Sequence, residues 1–407
     1  MRILLANKYY YLRSGAERYL FNLTRLLEEK GHTVAVFSMH HPRNQPTPWS
    51  KYFLPPIEYR GRLNFVQQLY AALRSIWYPR AGYQIERMIN EFRPDIVQIH
   101  NLYHHISPSI LPVIRQHGIP IVHRLHDYKL ICPNYLLRTQ GQVCEQCKDQ
   151  RYLRAVRLRC LHGSLSWSLV AAVEMTIHKK MRVYERHVAR FSCPGQFQAL
   201  KMGEFGIPAN SLVHLPNFLF LDDVPLATPP PIGSYALYLG RLTGEKGLWT
   251  LLEASCITPI PLRILGEGPM YGDLHRAIQE RQLGQVEMLG YQQGEELARS
   301  IDNARFLVVP SEYYEVFGQI IMEAFSRGKP VIATNIGGIP EVVSQARDGL
   351  LIPPGQPEAL AQAMRWLWER PQDAAEMGRN GRDKVARQYS AEVHYQNLMQ
   401  LYRDVLS

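Results

Sequence analysis

The residues of this 407-residue chain that could do chemistry fall in a few short runs. Arg241 and Lys246 lie in Gly240-Arg241-Leu242-Thr243-Gly244-Glu245-Lys246-Gly247, between an apolar run that reads as a strand (Ala236 to Leu239) and a periodic run that reads as a helix (Leu248 to Ala254). Two cations at a strand-to-helix turn, with glycines that let the backbone approach a ligand closely, suit a diphosphate. A solvated basic turn is the plainer reading of the same residues. Glu315 falls in the loop after the strand Phe306 to Val309, and Glu323 about a turn and a half into the next helix, on the face that Gly318 leaves open. Carboxylates placed there accept hydrogen bonds from sugar and ribose hydroxyls. The helix amino terminus offers N–H donors and a partial positive charge to phosphate oxygens. Glu323 has Ile320, Ile321, Met322, Ala324 and Phe325 as neighbours, and a carboxylate in so apolar a helix calls for a partner. Cys132, Cys144, Cys147 and Cys160 are spaced C-x11-C-x2-C-x12-C, the pattern of a structural zinc site with His162 as a spare ligand. Buried thiols and a redox disulfide are the alternatives.

These residues need elements to hold them. Short apolar runs at Ile3 to Ala6, Val34 to Ser38, Ile96 to His100, Ile121 to His123, Phe191 to Cys193 and Leu212 to Leu215 read as strands. So do Ala236 to Leu239, Leu262 to Leu265, Val286 to Leu289, Phe306 to Val309 and Val331 to Thr334. Most are continuous rather than alternating, as in parallel strands covered on both faces, and amphipathic helical stretches fill the gaps. The class is α/β. A proline-rich, aperiodic stretch at 219–233 reads as a linker between a first domain, 1–218, and a second, 234–390. Two doubly wound domains are expected to place the carboxyl ends of their strands across one cleft, where open sheets bind ligands.

Composition narrows the partners. Apolar residues make up 46% and charged residues 20%, which excludes disordered and fibrous chains. No stretch has the roughly 20 uninterrupted apolar residues of a membrane span, and the start lacks a basic secretory signal, so a cytoplasmic protein is expected. Residues 1–200 carry 28 Lys/Arg against 12 Asp/Glu, whereas the rest carry 18 against 24. That asymmetry points to an anionic surface met by the first half only. Helical segments at Arg60 to Tyr78 and Ser164 to Arg186 interleave aromatic, apolar and basic residues and suit a headgroup interface, although such spacing also suits a core.

Gly240-Arg241-Leu242 with Lys246-Gly247, Leu265-Gly266-Glu267-Gly268-Pro269, Glu315-x7-Glu323 with Phe317-Gly318, Gly328-Lys329-Pro330-Val331, Gly337-Gly338-Ile339-Pro340-Glu341 and Gly349-Leu350-Leu351 follow one another in order. In sequence and spacing they resemble the carboxy-terminal half of the retaining glycosyltransferases of family 4. In the first half, Ser14-Gly15-Ala16-Glu17, Gly31-His32-Thr33-Val34, Pro94-Asp95-Ile96-Val97, His126-Asp127 and Asn217 look like landmarks of the same family. The resemblance implies a GT-B fold, two Rossmann-like domains facing a cleft, with a final helix, 391–407, crossing back to the first. It implies transfer of a hexose from a nucleoside-diphosphate sugar, with retention, to a glycan or lipid-linked acceptor at the cytoplasmic membrane face. Arg241 and Lys246 become the diphosphate clamp, Gly266 a donor-loop residue, Glu323 the ribose acceptor and Glu315 a contact of the transferred sugar. Phe317 and Gly318 would offer backbone amides, Gly15 would approach the phosphates, and His126 would stand beside the donor sugar as base or orienting group. Two cations and a helix terminus stabilise a departing diphosphate, so no catalytic metal is required. The cysteines follow His126-Asp127 and would fold an insertion of about 128–163 at the acceptor side, beside Arg151, Arg154, Arg157 and Arg159. A nucleotide-sugar epimerase of the same fold and a zinc-ribbon polyanion binder are the rival readings. No nucleic-acid partner is expected, because such a binder leaves the carboxy-terminal motifs unexplained.

Overall fold

Parallel strands buried on both faces need uninterrupted apolar runs, and the chain supplies them twice. In the computed structural model, which describes residues 1–57, 65–224 and 233–407, these runs form two six-stranded parallel sheets. The chain divides into two compact units. Unit 1 comprises Met1–Leu137, Glu145–Leu215 and Tyr395–Ser407, and unit 2 comprises Arg138–Cys144 and Pro216–His394.

Unit 1 is built on β1 (Arg2–Ala6), β2 (Thr33–Phe37), β3 (Ile96–Ile99) and β4 (Ile121–Arg124). A short hairpin, β5 (Arg138–Thr139) and β6 (Gln142–Val143), clusters with unit 2. The chain then returns to unit 1 for β7 (Arg190–Cys193) and β8 (Leu212–His214), giving the order β2-β1-β3-β4-β7-β8. Unit 2 follows with β9 (Tyr235–Leu239), β10 (Leu262–Leu265), β11 (Val286–Gly290), β12 (Ala304–Val309), β13 (Val331–Thr334) and β14 (Gly349–Ile352). Its order is β11-β10-β9-β12-β13-β14, the Rossmann arrangement. Strand order reverses between β1 and β3 in unit 1 and between β9 and β12 in unit 2. Loops leaving the carboxyl ends of those strands diverge and leave room for a ligand.

The strands expected from sequence are β1 to β4 and β7 to β13, with ends within two residues. The edge strand β14 and the hairpin are additional. Two of the four β14 residues are partly exposed, and Arg138-Thr139 and Gln142-Val143 carry no apolar alternation, so neither gives the pattern of a covered strand. The expected 128–163 insertion is divided, because 138–144 clusters with the second unit. The helix expected from Arg60 runs Phe65–Ile76. Residues 60–64 of that expectation, and 225–232 of the expected linker, lie outside the described residues.

Unit 1 keeps many ionisable groups out of water. Lys129 Nζ and His104 Nδ1 lie 3.0 and 3.2 Å from Glu174 Oε2, with the Lys129 and Glu174 side chains 3% and 2% exposed. His100 and His123 are fully buried. Burial pushes His123 down to about 3 and holds His100 well below the ordinary histidine value, so both stay neutral in the fold. A depressed histidine binds fewer protons folded than unfolded, so its contribution is intact above pH 6.5 and lost as pH falls toward the folded value. From His123 alone the loss at pH 5 is about 2 kcal/mol. Scanning calorimetry should therefore show unit 1 unfolding at lower temperature at pH 5 than at pH 7.5, with a shallower dependence in His123→Gln. A pH-independent transition would contradict the neutral buried histidines.

Candidate active site

In unit 2 the residues singled out in sequence meet at the β9/β12 switch point. After β9 the chain runs through Arg241 and Thr243 to Lys246, and Gly247 then starts the helix Leu248–Ile257 in a left-handed conformation (φ 68°). A Cβ on Gly247 would stand 1.8 Å from the carbonyl oxygen of Pro310, at the end of β12. Only glycine permits the two loops to approach so closely. Gly266, after β10, is constrained in the same way, since its Cβ would meet the Gly240 oxygen at 1.8 Å. Its role is to let backbones pack behind the Arg241 loop. The Glu312 amide also donates to the Glu245 carbonyl at 2.8 Å, which ties the loops across the switch point.

Side chains complete the link. Lys246 Nζ is in hydrogen-bond contact with Glu315 Oε1 and lies 3.2 Å from Tyr313 Oη. The Tyr313 hydroxyl donates to Glu315 Oε2 at 2.7 Å and Ser311 Oγ to Oε1 at 3.1 Å. Burial alone would raise the Glu315 carboxyl. The Lys246 ammonium and the two hydroxyls outweigh it and hold the group below its ordinary value, so it is a carboxylate at neutral pH. Burial, then the Glu315 charge, pushes the Tyr313 phenol well up, so it remains a donor. Tyr313 and Ser311 were not among the residues singled out in sequence, although both stand in the same β12 loop as Glu315.

Arg241 differs from Lys246. Its side chain is 65% exposed and, among the described residues, pairs with Glu245 at 3.5 Å. It stands ready for a solvent-borne anion. The helix Gln319–Ser326 begins at Gly318, which is left-handed (φ 79°). Phe317 buries its ring in the core against Tyr389, so only its backbone is available to a ligand. Among the described residues, the Phe317 and Gly318 amides donate no hydrogen bond. Glu323 is partly buried on the same helix, flanked by buried Ile321, Met322, Ala324 and Phe325. Arg138 of the hairpin donates to the Gly244 carbonyl at 3.3 Å and lies 3.6 Å from Glu312, an anchor on the cationic loop that the sequence did not disclose.

In unit 1, His126 follows β4, and its Nε2 lies 2.9 Å from His100 Nδ1 at the end of β3. Burial, then the neighbouring His100 and Arg124, holds it well below the ordinary histidine value. Gly15 opens the helix Gly15–Glu29 beside β1, and Glu17 in that first turn accepts from Ser14 Oγ at 2.6 Å and Asn7 Nδ2 at 3.3 Å.

The cysteines do not assemble as expected. Among the described residues no three His, Cys, Asp or Glu side chains gather so as to hold a metal ion. Cys132 Sγ donates to Asn134 Oδ1 at 2.9 Å, and Cys147 packs with Tyr152, Ala155, Ala172 and Met175, with Cys160 against that cluster. Cys144 belongs to the hairpin segment grouped with unit 2. None of the described cysteines is paired in a disulfide, and the four-sulfur set read from spacing is not gathered among the described residues. Spacing allowed the set, but apolar packing and a short polar bond take up the thiols.

Comparison with known proteins places this geometry. The chain is 36% identical over 159 residues to D-rhamnosyltransferase WbpZ of Pseudomonas aeruginosa, covering 39% of this chain and 42% of that one. It is 29% identical over 175 residues to O-antigen chain mannosyltransferase C of Escherichia coli, covering 42% and 47%. The match thus spans less than half the length of these curated relatives. Among solved structures, sucrose-phosphate synthase from Thermosynechococcus elongatus superposes with a TM-score of 0.74 at 21% identity, over 99% of this chain and 98% of that one. Anabaena HepE in complex with UDP does so with a TM-score of 0.67 at 17% identity, over 99% and 100%. These likenesses establish the two-domain GT-B fold. The profile named Glycosyl transferases group 1 matches residues 231–384, and that of Glycosyltransferase Family 4 matches residues 13–222, over half of the chain. The chain belongs to glycosyltransferase family 4.

Proposed function

We propose that the protein transfers a hexosyl group from a nucleoside-diphosphate sugar, with retention of configuration, to a glycan or lipid-linked acceptor in cell-envelope polysaccharide synthesis. The observation that carries this reading is the β9/β12 switch point of unit 2. There a cation and a carboxylate, a second exposed cation and two undonated amides lie on adjoining loops. Arg241 and Lys246 take the diphosphate, Phe317 and Gly318 amides take phosphate or sugar oxygens, and Glu323 accepts from the ribose. Phosphate oxygens compete with Glu315 for the Lys246 ammonium, leaving Glu315, fixed by Tyr313 and Ser311, to accept from hydroxyls of the transferred sugar. In the transfer the bond from the anomeric carbon to the diphosphate breaks. The acceptor oxygen bonds to that carbon on the same face, and its proton leaves with the departing diphosphate. The cations and the helix start stabilise the charge that develops there, and the reading calls on no catalytic metal. In unit 1, Gly15 and His126 keep the parts that the family resemblance gives them. The O-antigen mannosyltransferase and rhamnosyltransferase relatives support an envelope glycan as product.

We also place the protein on the cytoplasmic membrane face. Among the described residues no helix is long and apolar enough to cross a membrane. Leu69, Tyr70 and Leu73 of helix Phe65–Ile76 and Leu165, Leu169 and Val173 of helix Leu165–Met181 are nonetheless exposed, and the two helices pack together. Exposed Arg151, Arg154, Arg157 and Arg159 adjoin the second helix through Arg154–Arg157. Apolar side chains at one-turn spacing beside cations suit an anionic headgroup interface. Sedimentation with phosphatidylglycerol vesicles should fall in a Leu69→Glu/Leu169→Glu variant and with added salt. Unchanged sedimentation would remove the membrane from this account.

Thermal stabilisation by a panel of nucleotide sugars, among them GDP-mannose, UDP-glucose and UDP-N-acetylglucosamine, identifies the donor, since a ligand at 100 times its Kd stabilises by about 2.7 kcal/mol. Against that donor, Arg241→Ala should lose about a hundredfold to a thousandfold in turnover without a change in Tm. Lys246→Ala should lose activity and also lower the Tm, because it strands the Glu315 carboxylate in a buried site. Near-normal turnover in both would refute the clamp. Glu323→Gln should weaken donor binding with an unchanged Tm. A variant that binds donor normally but folds poorly would make Glu323 structural.

A further inference from the structure

His126 is the last member of a hydrogen-bonded chain that starts on the terminal helix. Tyr402 donates its hydroxyl proton to Gln98 Oε1 at 2.6 Å. That fixes the Gln98 amide, whose nitrogen then faces His100 Nε2 at 3.3 Å and has the Tyr19 hydroxyl as a second neighbour. An amide nitrogen only donates, so His100 Nε2 accepts. A neutral imidazole accepting at Nε2 carries its proton on Nδ1, and His100 Nδ1 lies 2.9 Å from His126 Nε2. His126 therefore accepts at Nε2 and holds its own proton on Nδ1. Tyr402, Gln98 and His100 are 0 to 1% exposed, so water does not compete for these bonds. His126 itself is partly open, and among the described residues no group accepts from its Nδ1.

We infer that Tyr402, Gln98 and His100 are positioning residues that lock His126 as an Nδ1–H hydrogen-bond donor, leaving that proton for an oxygen of the bound substrate. His126 then orients an accepting oxygen and does not act as a general base, because its basic nitrogen is occupied by His100. The inference rests on the part given to His126 in transfer, and it adds the last helix of the chain to the apparatus. The His100 and His126 rings, with centroids 5.2 Å apart and planes 20° from parallel, lie nearly coplanar across that hydrogen bond, the geometry in which a ring N–H points at the partner's lone pair.

The test uses full-length protein labelled with nitrogen-15 in histidine. Two-bond proton–nitrogen spectra report each tautomer, and His126→Asn assigns the signal. Wild type should show His126 protonated at Nδ1. Tyr402→Phe keeps the buried ring and removes only the lock on Gln98, so the His126 signal should move toward a mixture of tautomers. Turnover with the donor found in the panel should drop by up to about a hundredfold, with donor Kd unchanged. An Nε2–H tautomer in wild type, or a tautomer unmoved in Tyr402→Phe, overturns the relay. A moved tautomer with unaltered turnover upholds the relay and overturns the part of His126 in transfer.

Discussion

The ion pair between Lys246 and Glu315 joins the two loops that flank the strand-order reversal in unit 2, and the site is arranged around it. Alone, either group would be costly to desolvate, and paired charges out of water persist only when their remaining valences are satisfied. Tyr313 and Ser311 satisfy the carboxylate, and the Tyr313 ring also lies 4.9 Å from the ammonium. The pair is thus held on one side by hydroxyls and on the other by glycine-permitted contact between the loops, Gly247 against Pro310. The result is a charge-balanced link between the loops whose cation can change partner when a stronger anion arrives. Preorganisation of this kind lets a site favour a diphosphate without rearranging at the moment of reaction.

Unit 1 uses the opposite device. There His100, His123 and His126 are neutral because burial denies them the charged form, so their role is directional hydrogen bonding rather than charge. Arg124, also buried, gives its guanidinium to Ser192 and the Leu215 carbonyl and stacks on Tyr19, 4.5 Å from the ring. It fixes the floor beneath the β4 loop while adding a positive field that further discourages protonation of His126. Unit 2 thus pairs charge at its site, whereas unit 1 keeps these three histidines neutral.

The strands and the unit 2 motifs were legible because both are local. Apolar runs such as Leu262–Leu265 declare a covered strand, and Arg241, Lys246 and Glu315 follow strand ends, where a doubly wound sheet must expose its loops. What escaped depends on contacts distant in the chain. Nothing near Tyr402 shows that its hydroxyl meets Gln98, and the polar hairpin 138–144 gives no sign that Arg138 reaches Gly244. The cysteine spacing misled for the same reason. Sequence separation permitted a tetrahedral set, but packing around Tyr152 and Met175 claims Cys147, and Asn134 claims Cys132.

The proposed function stands on recognition of a diphosphate by the Arg241/Lys246 loop. Calorimetric titration of the wild-type protein with a nucleoside diphosphate and with the matching monophosphate tests it most directly. A second phosphate meeting two cations gains charge-assisted hydrogen bonds of about 1.5 to 3 kcal/mol, so the diphosphate should bind roughly tenfold to a hundredfold more tightly. Equal affinity for the two nucleotides would contradict the account.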